Sequence, residues 1–403
     1  MTAAMTANDT PARHIAPPAF LADPALRAIL AALPRARLVG GCVRDALAHR
    51  QVADIDIATP DPPEQVMAAL AAAGLRAVPT GLAHGTVTAV ADHRGFEITT
   101  LRRDLTTDGR HAEVGWTDDW RADAARRDFT INAMSLRPDG ALFDYFGGIA
   151  DLAAHQVRFV GDPATRIAED RLRVLRYFRF LARFGAGTAP DAATLAAIEA
   201  AAPHLVELST ERVWSELKRL LAAPDPTAAI ALMERLGVFA PLLPEGVTPA
   251  RLAAMVARGA PADPLLRLAA LTDAPADTIA ARFKLANAEH ATLAELRAAP
   301  LATPDLSPPD RRRLLADWPA TALIGRIWLD GGQGPAWADL RADLAATARP
   351  VFPLAGRDAL DLGAPPGPAV GAALRAARAW WFAGGCTATA RACRARLAEI
   401  LRA

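Results

Sequence analysis

Residues 38–58 read Leu-Val-Gly-Gly-Cys-Val-Arg-Asp-Ala-Leu-Ala-His-Arg-Gln-Val-Ala-Asp-Ile-Asp-Ile-Ala, and this stretch decides the fold. Arg37-Leu38-Val39 stops at Gly40-Gly41, the pattern of a strand that ends in a tight turn. Asp54 to Ala58 alternates acidic and apolar residues, which predicts a second strand. Residues two apart in a strand share a face. Asp54 and Asp56 therefore present two carboxylates side by side, with Ile55 and Ile57 turned to a core. Adjacent carboxylates repel unless a cation sits between them, and Mg²⁺ usually takes one or two carboxylates together with substrate phosphates. Asp54 and Asp56 are the candidate catalytic and metal-binding pair, with Mg²⁺ the expected cofactor. Gly40 and Gly41, at the end of a strand and the start of a helix, let backbone N–H groups approach phosphate oxygens. Arg44, in the first turn of that helix, is a bidentate donor for the same phosphates.

Outward from this core, residues up to about 150 alternate strand-like and helical runs. A helix is expected from Pro62-Pro63-Glu64 to about Ala73, closed by Gly74. Strands are expected over His84–Val90 and Phe96–Leu101. Residues 101–125 show no apolar periodicity and are expected to form a mobile loop that includes Asp108, Gly109 and Arg110. After Asp151 helical patterns dominate, broken by proline clusters near 242–249, 260–264, 300–309 and 364–368. No fixed-period repeat is present, so a solenoid is not expected.

One expected helix stands out, starting near Pro163 and running to about Phe184. Leu172, Leu175, Phe178, Leu181 and Phe184 form one stripe and Arg173, Arg176, Arg179 and Arg183 another. Asp170 and Arg173, one turn apart, would project together. An Asp accepts hydrogen bonds and an Arg donates several in a fixed fork. Such a pair matches an amino donor beside a ring-nitrogen acceptor, which cytosine and adenine offer. Uracil and guanine present a carbonyl there, leaving polar groups unpaired.

The string GGCVRDALAHRQVADIDIATPDPPEQV resembles the class II CCA-adding enzymes and their bacterial poly(A) polymerase relatives, within the polymerase-β nucleotidyltransferase superfamily. The resemblance implies that Asp54 and Asp56 hold metals, with Glu97, between Phe96 and Ile98, as a third carboxylate. TGLAHGTV (80–87) is similar too, and no chemistry is assigned to His84. Arg126-Arg127-Asp128-Phe129-Thr130-Ile131-Asn132-Ala133 resembles the family's RRDFTxNA motif, which places Arg127 on the triphosphate and Asp128 and Asn132 on the sugar. Residues 169–176 resemble EDxxRxxR, which implies nucleotide binding by Asp170, Arg173 and Arg176. Glu211-Arg212 to Glu216-Leu217 resembles ERxxxEL, a scaffold that steadies the Asp170 helix. A flexible loop at 101–125 is associated with addition of the terminal A. Asp144–Gly148 resembles a hinge between head and neck.

The implied fold is α+β: a polymerase-β-like head with a small mixed or antiparallel sheet, then an all-α neck, body and tail. The expected divisions are a disordered leader (1–17), head (18–148), neck (149–220), body (221–330) and tRNA-binding tail (331–403). The implied activity is template-independent addition of CCA to the tRNA 3′ end from CTP and ATP. The alternatives are a bacterial poly(A) polymerase, an A-adding enzyme and a non-catalytic tRNA-binding protein. The poly(A) polymerases usually carry a basic segment after the third strand, and LRRDLTTDGRHAEV lacks it. The partners implied are tRNA, CTP and ATP, with no membrane and no obligate protein partner. The segment where many relatives carry an HD-type metal site has no His-Asp pair, so phosphohydrolase activity is not expected.

Composition agrees with this but does not demand it. The 403 residues carry a net charge of only +1, so nucleic-acid binding has to rest on local charge. From Leu362 to the end there are six arginines and one acidic residue, Glu399. Three cysteines in no metal-ligand spacing suit a reducing compartment, and the cytoplasm is the expected location. The first 17 residues contain no apolar signal-peptide core.

Overall fold

The computed structural model describes residues 9–82, 85–107, 112–185 and 187–402. The chain divides into two compact units, Met1–Pro244 and Glu245–Ala403. The first unit holds, in order, β1 (Arg13–His14), α1 (Pro24–Ala32), β2 (Arg37–Val39), α2 (Gly41–Leu47), β3 (Asp56–Thr59), α3 (Pro63–Ala72), β4 (Arg76–Gly81), β5 (Thr86–Ala91), β6 (Arg94–Thr100), β7 (Arg102–Thr107) and β8 (Ala112–Trp116). It continues with α4 (Trp120–Ala125), β9 (Met134–Leu136), β10 (Ala141–Asp144), α5 (Gly148–Ala153), α6 (Pro163–Glu169), α7 (Leu172–Phe184), α8 (Ala192–Ala201), α9 (Thr210–Leu221) and α10 (Thr227–Arg235). The described part of the second unit is helical, from Pro249–Ala257 through Ala390–Arg402. No helix among the described residues is long and apolar enough to cross a membrane.

Eight strands form one mixed sheet in the order β1-β10-β9-β2-β3-β6-β5-β4. Only β3 and β6 run parallel; the other neighbouring pairs are antiparallel. The core under the sheet is built from α1, α3 and the inward faces of the strands, with Leu26, Ile29, Leu38, Ile57, Leu70, Val87 and Ile98 buried together. Asp23 starts α1 by accepting the N–H groups of Ala25 and Leu26, with Pro24 at the first helical position where its missing N–H costs nothing. β2 is buried along its whole length. Its Arg37 survives there because its guanidinium lies 3.6 Å from the Phe143 ring centroid and 4.1 Å from that of Trp120. It also donates to the Tyr145 hydroxyl and to Asp9.

The α+β class with a mixed-sheet head and helices after it is as expected, but four local expectations are corrected. The leader is not disordered over its described part: β1 adds an edge to the sheet against β10, and Asp9 accepts from Tyr145 and Arg37. The strand expected from Asp54 begins at Asp56, so Asp54 stands in the segment before it. Residues 101–125 are not an irregular loop, because β7 and β8 pair as a hairpin and α4 follows. Asp108, Gly109 and Arg110 lie outside the described residues, as does His84. Finally, the helix expected from Pro163 to Phe184 is two helices. Asp170 is extended (φ −154°, ψ 105°) and its carboxylate accepts the Leu172 N–H at 3.1 Å. A short acidic side chain that captures a backbone donor competes with the helical ladder and starts a new helix.

Candidate nucleotide-binding and catalytic site

β2 ends at Gly40, whose φ of +70° and ψ of −125° suit a residue without a side chain. A Cβ there would also stand 3.1 Å from Arg127 Nη1. The turn thus brings the start of α2 against Arg127, while Gly41 is under no such steric demand. Arg44 is held in place rather than free. It forms a two-pronged bond to Asp45 (2.9 and 3.0 Å) and donates to Asn132 Oδ1 at 2.6 Å. Its guanidinium lies over Phe180 and Phe184.

Asp128 and Asn132 do not share a helical face. A short 3₁₀ turn, Thr130–Asn132, folds between them, and Asn132 Nδ2 donates to Asp128 Oδ1 at 3.0 Å. Asp128 is buried and accepts from Arg176 and from the Phe129 N–H. Burial alone would push its carboxyl up, but Arg176, Asn132 and that N–H together hold it below the usual carboxylate value. Arg127 reaches Asp123 and the Asn132 carbonyl.

On α7 the arginine stripe is met by carboxylates. Arg173 pairs with Glu169 at 2.5 Å and also donates to the carbonyls of Arg166 and Arg126. Arg179 pairs with Glu216 at 2.6 Å. Asp170 does not pair with Arg173 but with Arg212 of α9, at 2.7 Å. Beneath them Phe129, Phe159, Tyr177 and Phe180 form an aromatic cluster that joins the 3₁₀ turn to α7.

One cavity of about 420 Å³ gathers these groups. Gly40, Gly41, Arg44, Asp56, Arg127, Asp128, Asn132, Asp170, Arg173 and Arg176 all line it. Asp54 and Glu97 do not; they line an adjoining cleft of about 500 Å³, to which Asp56 also contributes. Asp56 is thus the one acid common to both. Across the parallel pair β3–β6 it sits directly opposite Glu97. The low-dielectric cleft and the charges of Glu97 and Asp54 raise the Asp56 carboxyl, against a lowering by Arg127.

That upward shift is the test of whether a divalent cation fits. Three carboxylates line one cleft, and burial with the charges of Glu97 and Asp54 disfavours the Asp56 carboxylate more than Arg127 favours it. A hard cation with oxygen ligands reverses this, and one or two protein carboxylates suffice when phosphates supply the rest. No group of three or more His, Cys, Asp or Glu side chains among the described residues is close enough to form a cage without substrate.

Arg126, Leu172, Phe180 and Arg212 also line the cavity. Phe180 was legible, since 173, 176 and 180 fall on one helical stripe. Arg212 stood in the ERxxxEL segment, where only a scaffolding part was expected. Its pairing with Asp170 spans 42 positions, and no local pattern announces it.

The mixed sheet, the glycine turn before α2 and the facing acids of β3 and β6 make the arrangement expected of a polymerase-β-like nucleotidyltransferase head. Residues 36–158 match the Poly A polymerase head domain, and residues 189–247 match the family described as the probable RNA and SrmB-binding site of polymerase A. Over residues 36–247 the chain is similar to class II CCA-adding enzymes and to bacterial poly(A) polymerases. It is 49% identical to the human mitochondrial CCA tRNA nucleotidyltransferase 1 over 204 residues, covering 50% of this chain and 47% of that protein. It is 39% identical to the CCA-adding enzyme of Limosilactobacillus reuteri over 211 residues, 52% of this chain and 51% of the relative. The chain therefore spans about half the length of the curated relatives it matches. Among solved structures, the Bacillus stearothermophilus CCA-adding enzyme in complex with CTP aligns with a TM-score of 0.73 at 27% identity, over 94% of this chain and 98% of that one. The Thermotoga maritima CCA-adding enzyme complexed with tRNA shares the fold, with a TM-score of 0.60 at 20% identity over 91% of each chain.

Proposed function

We propose that this protein is a template-independent tRNA nucleotidyltransferase that adds CCA to the tRNA 3′ end from CTP and ATP. The observation that carries this reading is the shared cavity: the glycine turn, Arg44, Arg127, the Asp128–Asn132 pair and the Asp170/Arg173 region line one space that opens on Asp56. The similarity to enzymes named for CCA addition supports the choice of reaction.

Gly40, Gly41, Arg44 and Arg127 receive the triphosphate, and Asp128 and Asn132 hold the sugar. Asp170, Arg173 and Arg176 form the base end of the site, with Asp170 and Arg173 presenting acceptor and donors to the edge shared by C and A. Asp54 and Asp56 hold Mg²⁺, with Glu97 as a third carboxylate. The chemistry that Mg²⁺ supplies in such a site is activation of an attacking hydroxyl and neutralisation of a leaving pyrophosphate. The protein's own part is to orient the α-phosphate and meet its developing charge with fixed donors. In this assignment residues 18–148 are the head, 149–220 the neck, 221–330 the body and 331–403 a tail that meets tRNA. The cytoplasm is the proposed compartment, although the vertebrate relatives are named mitochondrial.

The test is primer extension with a tRNA that lacks its last three nucleotides, Mg²⁺ and each labelled NTP alone and in pairs. Two C residues and then one A, with a stop, is the expected result. Long A tracts on any RNA would instead make it a poly(A) polymerase. Addition of A only to a tRNA already ending in CC would make it one half of a divided pathway.

A further inference from the structure

A separate cavity of about 300 Å³ lies where α2 and α5 end, and it shares no lining residue with the catalytic cavity. Leu47, Ile149 and Phe184 give it an apolar wall. Its polar side chains are Arg13, His49, Arg50 and His155, and no lining residue is acidic.

The two histidines occupy costly backbone positions. Each has a φ of +54° and follows a helix C-terminus. Arg50 N–H returns to the Asp45 carbonyl at 2.8 Å, and Gln156 N–H to the Asp151 carbonyl at 2.7 Å. This left-handed cap favours glycine. The chain does use glycine for the same turn after α3 and α10, where Gly74 and Gly237 have φ of +72° and +70°. At the cleft it places an imidazole there twice. The capping bonds also satisfy carbonyls that would otherwise repel an anion. Arg50 is aimed rather than loose, since it donates to the Arg183 carbonyl at 2.7 Å and lies 4.4 Å from the Phe184 ring centroid.

We propose that this cleft is a second nucleotide site, taking a nucleoside phosphate either free or as a residue of a single-stranded RNA. A cavity of this size, with an apolar wall and a few convergent polar groups, suits a small ligand. Its flat part rests on Leu47, Ile149 and Leu152, as bases rest on apolar surfaces. Its phosphate meets Arg13 and Arg50, where charge-assisted bonds are strong, and ring N–H donors of the two imidazoles.

The test uses the full chain and the variant Arg13→Gln/His49→Gly/His155→Gly. The glycines keep both turns and remove the rings, so the variant is expected to melt no lower than the native chain. AMP and a 5′-phosphorylated tetranucleotide are each titrated by calorimetry against both proteins. For at least one probe, the native chain is expected to bind one equivalent more than the variant, or to bind it about tenfold more tightly. If only AMP responds, the ligand is a free nucleotide; if only the tetranucleotide responds, it is an RNA end. Equal stoichiometry and affinity for both probes on both proteins would overturn the proposal. As the readout is binding, it is independent of the transfer activity.

Discussion

Asp56 and Glu97 face each other in register across the only parallel strand pair of the described sheet, and the Asp56 carboxyl is raised by its cleft and by Glu97. A raised carboxyl is protonated more readily in the folded than in the unfolded chain. Its charge therefore costs stability as pH rises from the ordinary value of 3.8 through the folded one. At neutral pH without metal, Asp56→Asn is expected to raise the melting temperature. Mg²⁺ is expected to stabilise the native chain and to have much less effect on Asp56→Asn. Scanning calorimetry in EDTA and in Mg²⁺ checks both, and an equal Mg²⁺ increment in the two proteins would remove Asp56 from the metal site.

Asp54→Ala is expected to abolish transfer, with a fall in kcat of about a thousandfold or more, and to leave tRNA binding nearly unchanged. Labelled CTP incorporation and a gel shift separate the two effects. Normal activity in Asp54→Ala would make the metal assignment wrong.

Arg173→Ala is expected to relax the preference for C and A. Arg212→Ala removes the partner of Asp170 without touching Arg173 and is expected to raise incorporation of U and G by about tenfold through loss of positioning. Single-nucleotide incorporation with each of the four NTPs reads both. Rescue by Arg212→Lys would identify the charge, rather than the fork, as what positions Asp170.

The Asp128–Arg176 pair works in the opposite direction from Asp56. The lowered Asp128 carboxyl contributes stability that is present above the ordinary value of 3.8 and is lost as pH falls through the lower folded value. Asp128→Ala is expected to cost about 3 kcal/mol at pH 7 and to flatten the acid limb of the stability curve, as measured by urea unfolding at pH 3 to 7.

Two glycines should respond very differently to alanine. A Cβ on Gly148 would overlap the Thr130 carbonyl, while at Gly74 there is open space and only the φ of +72° to satisfy. Gly74→Ala is expected to cost about 1 kcal/mol. Gly148→Ala should cost several times as much, with the 3₁₀ turn and the Asp128–Asn132 pair displaced together. Chemical denaturation of each variant is the measurement.

The glycine turn and β2 were readable because a strand that stops at paired glycines leaves few alternatives. The interruption at Asp170 was not. Helical periodicity runs in phase from Ile167 through Phe184, and the break comes from one side chain that captures the Leu172 N–H, a contest that apolar spacing does not register. The β7–β8 hairpin was missed for a different reason: RRDLTT and AEVGW carry no clean alternation, so nothing marks a buried face. Asp170 and Arg173 were paired in the sequence because a continuous helix would stack them. With the helix broken, each finds a nearer counter-charge, Arg212 and Glu169.

The parallel alignment of β3 and β6 has a consequence for how proteins of this fold can diverge. Their two facing acids are brought together by a hydrogen-bonded ladder, and the 40 positions between them form an excursion through α3, β4 and β5. That excursion could lengthen or shorten without moving either carboxylate, provided the ladder keeps its alignment. Relatives are then better sought by an acid at the start of one strand set opposite an acid within its parallel neighbour than by any fixed interval along the chain.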